Sequence, residues 1–422
     1  MMASLIRKIT TPPLLGMIGV ALFMGWCIGF VAHHASADKL VGEDNVIVGR
    51  DFMAFYIGGT IIRAGHGERL YEPALQQQTQ DWVLQGEPVD GFSYYINPAS
   101  VAVAYSLLAR LPYTWAFYLH TFMMLAFLLA GVWILRTHLP RDSLHWLTIA
   151  FLAACWLPMT HAMTGGQNAS LCFLLLSVAY VASVAKKQWL AGLALGLLLF
   201  KPQYAVPVLG LLLLRKQFVT LGVAAVLGCG HYVIGALACG WDWPAKMADK
   251  LGGYYRAAED ATNSATHMSF MEVLDYSVIQ PLGGDGGLGS ILHVLGYTVL
   301  AGFVVYLMWV WRHADPRKGD FALYWALVTA ATPLLSLHAQ YYDGALLALP
   351  ILLILVYCQQ HGYEISLRTR VALVVVYVAY LPAAFIPEWF EWFRFQPVFV
   401  VPILVCAWAA SLIRREERRR AL

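Results

Sequence analysis

Three groups of residues in this sequence carry side chains able to do chemistry. The first is Gly49-Arg50-Asp51-Phe52, just after the first apolar run, where the Asp51 carboxylate is placed to act as a general base or to form a solvated local pair with Arg50. The second joins Gly165-Gly166-Gln167-Asn168 to Phe200-Lys201-Pro202-Gln203-Tyr204. Lys201 sits between two apolar runs, so its charge needs an anion or water, or else snorkels to the headgroups. Pro202 breaks the helix and leaves free N–H groups at the start of the next one, which would suit a phosphate. The third group runs from Thr332 through Pro333, Leu334, Leu335, Ser336, Leu337, His338, Ala339, Gln340, Tyr341 and Tyr342 to Asp343. A lone histidine is usually structural. This density of polar groups between apolar runs is instead expected to line a wet cavity. If Asp51, Lys201 and His338 face one cavity, the arrangement suits group transfer from a phosphate-activated donor. The carboxylate would deprotonate an acceptor hydroxyl, and the cation and imidazolium would hold the leaving phosphate.

The elements that position these groups are set by composition. Of 422 residues, 59% are hydrophobic and 13% charged, about half the charge of a soluble domain. That much apolar surface requires lipid as solvent, and long unbroken runs satisfy their backbone there only as helices. The expectation is an all-α polytopic membrane protein of about 12 transmembrane helices, a single unit over residues 1–422, with extracytoplasmic loop helices. Lys and Arg cluster between the runs, at Arg7 and Lys8, Arg136 and Arg141, Lys186 and Lys187, Arg215 and Lys216, Arg312 to Lys318, Arg368 and Arg370, and Arg414 to Arg420. The positive-inside rule assigns all of these to the cytoplasm, and the Arg-rich tail reads as a topology anchor on anionic lipid, with no nucleic-acid partner.

The first large loop, 33–96, contains Phe52, Phe55, Tyr56, Ile57, Ile61 and Ile62 at a spacing that predicts an amphipathic helix on the membrane surface. The second large loop is 241–290. Both termini read as cytoplasmic, so the crossings must be even, yet there are thirteen apolar runs. Either Ala99–Ala109 does not cross, the preferred solution, or the runs flanking Lys201-Pro202 form one kinked span. The preferred solution puts Asn97, Gly166, Lys201 and Tyr341 outside and Lys187 inside. Ala35-Ser36-Ala37 resembles a signal-peptidase site, but the preceding run is longer than a signal peptide's core, so a retained first helix is expected. Seven scattered cysteines without a C-x-x-C pair indicate neither a disulfide framework nor a metal site.

These residues resemble glycosyltransferase family 87, a branch of the GT-C superfamily of polyprenyl-phosphate-dependent membrane glycosyltransferases. The resemblance runs through Asp51-Phe52, the turn from Gly67 to Tyr71 and Glu72, Tyr95-Ile96-Asn97-Pro98, Leu111-Pro112-Tyr113, Thr164 to Ala169, Ala191-Gly192, Lys201-Pro202-Gln203 and Ser336 to Asp343. Glu72 stands where the family has Asp, Asn97 where it has Pro, and Leu337 where Pro is common. The resemblance implies a GT-C type helical bundle in the inner membrane, with its active site facing the periplasm. It implies an inverting transfer of mannose or another hexose or pentose from a polyprenyl-phosphate donor to a lipid-linked or polysaccharide acceptor. Asp51 would be the base, Lys201, His338 and Arg50 would contact the donor phosphate, and Gln167, Asn168, Gln203, Asn97, Tyr341, Tyr342 and Asp343 would bind substrate. A monophosphate leaving group neutralised by Lys and His, with no Asp-x-Asp motif, implies that no metal or other cofactor is needed. The rival readings are a transporter or lipid flippase, with the same polar residues lining a pathway, and a membrane scaffold without catalysis.

Overall fold

The computed structural model describes residues 12–35, 40–41, 47–89, 91–139, 145–258, 267–284, 286–363, 366–378 and 397–422. Arg7, Lys8, Ser36, Ala37, Asp38, Glu43, Asp44, Arg141 and most of the expected span 371–387 lie outside them. Among the described residues the fold is all-helical, and the only bridges are the isolated pairs Val41–Ile47 and His267–Gln340. In chain order the helices are α1 Pro12–Ala35, α2 Arg50–Arg63, α3 Pro73–Leu84, α4 Ala99–Leu108, α5 Tyr113–Leu135, α6 Trp146–Ala154, α7 Leu157–Thr164, α8 Ala169–Val184 and α9 Gln188–Leu197. They continue as α10 Pro202–Leu214, α11 Phe218–Cys239, α12 Trp243–Ala258, α13 Phe270–Leu274, α14 Gly287–Trp311, α15 Phe321–Leu335, α16 Ala348–Gln360, α17 Leu367–Val378 and α18 Pro397–Ala421.

Five helical stretches are long and apolar enough to cross a membrane: Tyr113–His138, Phe218–Cys239, Gly287–Trp311, Tyr341–Gln360 and Val398–Arg420. A sixth exists if α6 and α7, bent by 70°, form one broken span. Six further apolar helices have only 10–17 residues, roughly 15–26 Å of helix against a hydrocarbon core of ~30 Å. The expected total of about twelve therefore depends on short helices that length alone does not qualify as crossings. Several are short because they pack against protein instead of lipid. In α15 every residue from Phe321 to Leu334 is buried.

The helix α2 also departs from expectation. Its spacing predicted one apolar face on a lipid surface, yet Phe52 through Gly59 and Ile61 are all buried. It packs against α4, which in turn packs against α11. The glycines Gly58 and Gly59 allow this, because a Cβ there would meet the Tyr95 ring at 2.7 Å and the Tyr105 backbone at 2.6 Å.

The helices α8, α9 and α10 follow one another through short turns. The α8–α9 turn reverses at Lys186 (φ 59°) and the α10–α11 turn at Lys216 (φ 52°). Arg215 Nη1 donates to the Arg312 carbonyl (2.7 Å), Gln360 Nε2 to the His138 carbonyl (2.7 Å), and Arg420 pairs with buried Asp320 (2.8 Å). Gln167 precedes α8 by two residues, and Lys201 stands between the 3₁₀ turn Leu198–Phe200 and α10.

Candidate active site

Asp51 is positioned by backbone hydrogen bonds. The start of α2 has unsatisfied N–H groups, and both Asp51 N (2.9 Å) and Phe52 N (3.1 Å) donate to the Gly165 carbonyl. Gly165 belongs to the turn that ends α7. Gln167 N donates to Ala162 O (2.7 Å) and Gly166 N to Met163 O (3.3 Å), with Gly166 left-handed at φ 83°. This is the glycine-terminated helix end that recurs where a chain must reverse. Only glycine fits, because a Cβ on Gly166 would lie 2.3 Å from that of Phe52.

With the two segments locked together, Gln167 Nε2 donates to Asp51 Oδ2 at 2.8 Å. Its Oε1 accepts from Lys201 Nζ at 3.0 Å. The charges on either side fix the orientation of the amide. Lys201 stands 3.7 Å from Asp343 Oδ1, and both side chains are buried. Lys201 (φ −122°, ψ 79°) is the non-helical residue before Pro202, which opens α10. Proline restricts its predecessor in this way and is favoured at the first helical position. Asp343 Oδ2 accepts from Gln340 N (2.9 Å) in a reciprocal cap on the 3₁₀ turn Tyr341–Leu347. The result is a buried relay, Asp51–Gln167–Lys201–Asp343, drawn from four separate stretches of chain.

Burial raises the Asp51 pKa, and the opposing Gln167 hydrogen bond and the charges of Lys201 and Arg50 only partly offset it. A carboxylate so placed is a stronger base than one in water. Lys201 does not snorkel: its ammonium turns inward and finds its anion within the chain.

Several other expected residues border this relay. Tyr341 OH lies 3.1 Å from His161 Nδ1, and Tyr342 meets Tyr341 edge-on. Asn168 Oδ1 accepts from Tyr105 OH (2.7 Å), which also meets His120 Nδ1 (3.2 Å). Arg50 is exposed and acts on Asp51 through charge, since the carboxylate's hydrogen-bond partner is Gln167. Asn97 contributes its backbone carbonyl, which accepts from Tyr71 OH (2.9 Å), and Gln203 is half-buried in the first turn of α10.

His338 forms a second cluster, joined to Asp343 through Gln340, whose Nε2 lies 3.5 Å from His338 Nε2 and whose N–H binds Asp343. Its Nδ1 lies 2.5 Å from Glu272 Oε1. Glu272 Oε2 accepts from Ser269 Oγ (2.7 Å) and Ala339 N (3.3 Å), and stands 3.0 Å from His267 Nδ1. The segment leading into α13, which carries Glu272, is tied down by Met268 N donating to Ala339 O (2.6 Å). Burial opposes charge on both partners. The two histidines nevertheless hold Glu272 down at about 2, and Glu272 raises His338. Among the described residues, His267, Glu272 and His338 are the grouping able to hold a metal ion. The sequence reading missed Glu272 and His267. The signal was available in Ser269-Phe270-Met271-Glu272, the Ser-x-x-Glu pattern of a helix start.

The sequence profile of glycosyltransferase family 87 matches residues 95–337, more than half of the chain. That span includes Gln167, Lys201 and Glu272, and ends one residue before His338. No curated protein and no solved structure matches the chain.

Proposed function

The chain belongs to glycosyltransferase family 87, and from that membership we propose an inverting transfer of a sugar from a polyprenyl-phosphate donor to a lipid-linked or polysaccharide acceptor. Asp51 takes the proton of the acceptor hydroxyl. The freed oxygen attacks the anomeric carbon, the carbon–oxygen bond to phosphate breaks, and configuration inverts in this single displacement. The leaving polyprenyl phosphate gathers negative charge near Lys201 and His338, which is where electrostatic stabilisation is most effective. The reaction takes place on the periplasmic face of the inner membrane, opposite the end that carries the basic clusters.

The observation that carries this reading is Gln167, which binds the Asp51 carboxylate and the Lys201 ammonium with its two amide atoms. A base for the acceptor and a cation for the leaving group are held at a fixed spacing without neutralising each other directly. The polar contacts also gather where α7 and α15 end and α8 and α10 begin. A transport pathway would string them through the bundle, so this favours the enzyme over the flippase. The test is Asp51→Asn, purified and assayed for transfer from a polyprenyl-phosphate sugar. Activity is expected to fall about 10²–10⁴-fold, and retention of more than about a tenth would overturn the assignment of the base.

A further inference from the structure

We propose that His267, Glu272 and His338 form a binding site for one divalent transition-metal cation, which draws in the donor phosphate beside Lys201. This runs against the metal independence expected from the sequence. The role in donor binding rests on the glycosyltransferase reading, whereas the site itself does not.

The donor set is two imidazoles and one carboxylate, the combination that catalytic zinc sites use while leaving a position for substrate. All three ligand atoms lie within 4.8 Å of one another. Ligands bound at ~2.0–2.1 Å in tetrahedral geometry would stand roughly 3.4 Å apart. His338 Nδ1 stands 2.5 Å from Glu272 Oε1 and His267 Nδ1 3.0 Å from Glu272 Oε2, so each imidazole would open by less than an ångström from the oxygen it now faces.

His267 is the most telling of the three. It is 9% exposed, and its Nδ1 is buried 3.0 Å from Glu272 Oε2. That spacing is close to the distance between neighbouring ligands of one ion. The supporting contacts are also in place. Glu272 is oriented by Ser269 Oγ and the Ala339 amide, the outer-sphere bonds that fix ligating carboxylates. Imidazole and carboxylate ligands take up the cation in their unprotonated forms. Two neutral imidazoles, one carboxylate and a dication sum to a single positive charge. That complements the anionic phosphate of the donor, and His338 is joined to the Lys201 pair through Gln340, which lies 3.5 Å from its Nε2 and donates its N–H to Asp343.

The experiment uses the full-length protein in detergent, stripped with chelator and then titrated with Zn²⁺, Mn²⁺ or Co²⁺. Wild type should bind about one equivalent by elemental analysis, and Co²⁺ should give visible bands of a four- or five-coordinate site. Ser269→Ala keeps every ligand and should weaken affinity about 10–100-fold. His267→Ala and Glu272→Gln, accepted only if monodisperse, should weaken it at least as much. Stripping should raise KM for the polyprenyl-phosphate donor. Less than a tenth of an equivalent bound, or equal Co²⁺ affinity in wild type and Ser269→Ala, would overturn the site. Full transfer by stripped protein would overturn its role in donor binding while leaving the proposed function intact. One equivalent bound without any sugar transfer would do the reverse.

Discussion

Replacing Lys201 with methionine tests whether the buried pair with Asp343 is a structural strut as well as a phosphate contact. The charges stand 3.7 Å apart. At an effective dielectric of about 20, their attraction is about 4.5 kcal/mol (332 divided by 20 and by 3.7). Deleting one partner of a buried pair costs about 3–5 kcal/mol, because the survivor is left uncompensated. Asp343 would keep its contact with Gln340 N but lose the cation at Oδ1. At about 2 °C per kcal/mol, the figure for larger domains, Lys201→Met should lower the melting temperature by about 9 °C. Heating the detergent-solubilised protein and measuring the monodisperse fraction reads this directly. Adding Asp343→Asn removes the stranded charge and should restore more than half of the loss, since the two sites couple. Transfer should stay absent in both variants, because neither has the ammonium. A melting temperature for Lys201→Met within about 2 °C of wild type, or a double variant no more stable than the single, would refute this account of the pair.

The raised pKa of Asp51, due chiefly to burial, places its charge change above the ordinary carboxylate value of ~3.9. Only the anion accepts a proton, so kcat/KM should be lost as pH falls through that raised value. An acid limb at or below the ordinary value would contradict the burial argument. Gly166→Ala should cost at least the ~1–2 kcal/mol of a left-handed alanine, plus the Phe52 collision, and disconnect Gln167 from Asp51. Unchanged melting and activity would show that the α7 turn is not rigid. In a cysteine-free background, a cysteine at position 97 should label from the periplasm and one at 187 only from the cytoplasm. Periplasmic labelling of position 187 would reverse the orientation.

Much of the relay was legible because rules of local chemistry mark three of its four members, while Asp51 was singled out by the family resemblance. Lysine before proline, glycine pairs before a polar residue, and a polar cluster between apolar runs are all local signals. Their assembly was not local. Nothing in the sequence around Asp51 says that its first turn is capped by Gly165, or that Gln167 and not Arg50 takes its carboxylate. Glu272 was missed because it lies in a polar loop where a carboxylate is ordinary until tertiary contacts bury it. The surface placement of α2 failed for a related reason. Apolar spacing shows which face wants burial, but it does not distinguish lipid from α4 as the partner. Span counting was limited by helices such as α15, whose apolarity serves protein packing.

The relay also bears on how the chain is made. Lys201 leaves the ribosome 142 positions before Asp343 (343 − 201), and at ~5–20 residues per second that is roughly 7–28 s of synthesis. Throughout this interval Gln167 and Asp51 are already present but the directly paired carboxylate is not, so the start of α10 enters the membrane without its nearest anion. The insertion machinery has to keep α8–α10 in a wet or protein-lined setting until the Tyr341–Leu347 turn arrives. Damage at Asp343 would then appear first as poor accumulation in the membrane and only second as a catalytic defect. Measured loss of cellular activity in such variants therefore reports biogenesis unless it is normalised to folded protein.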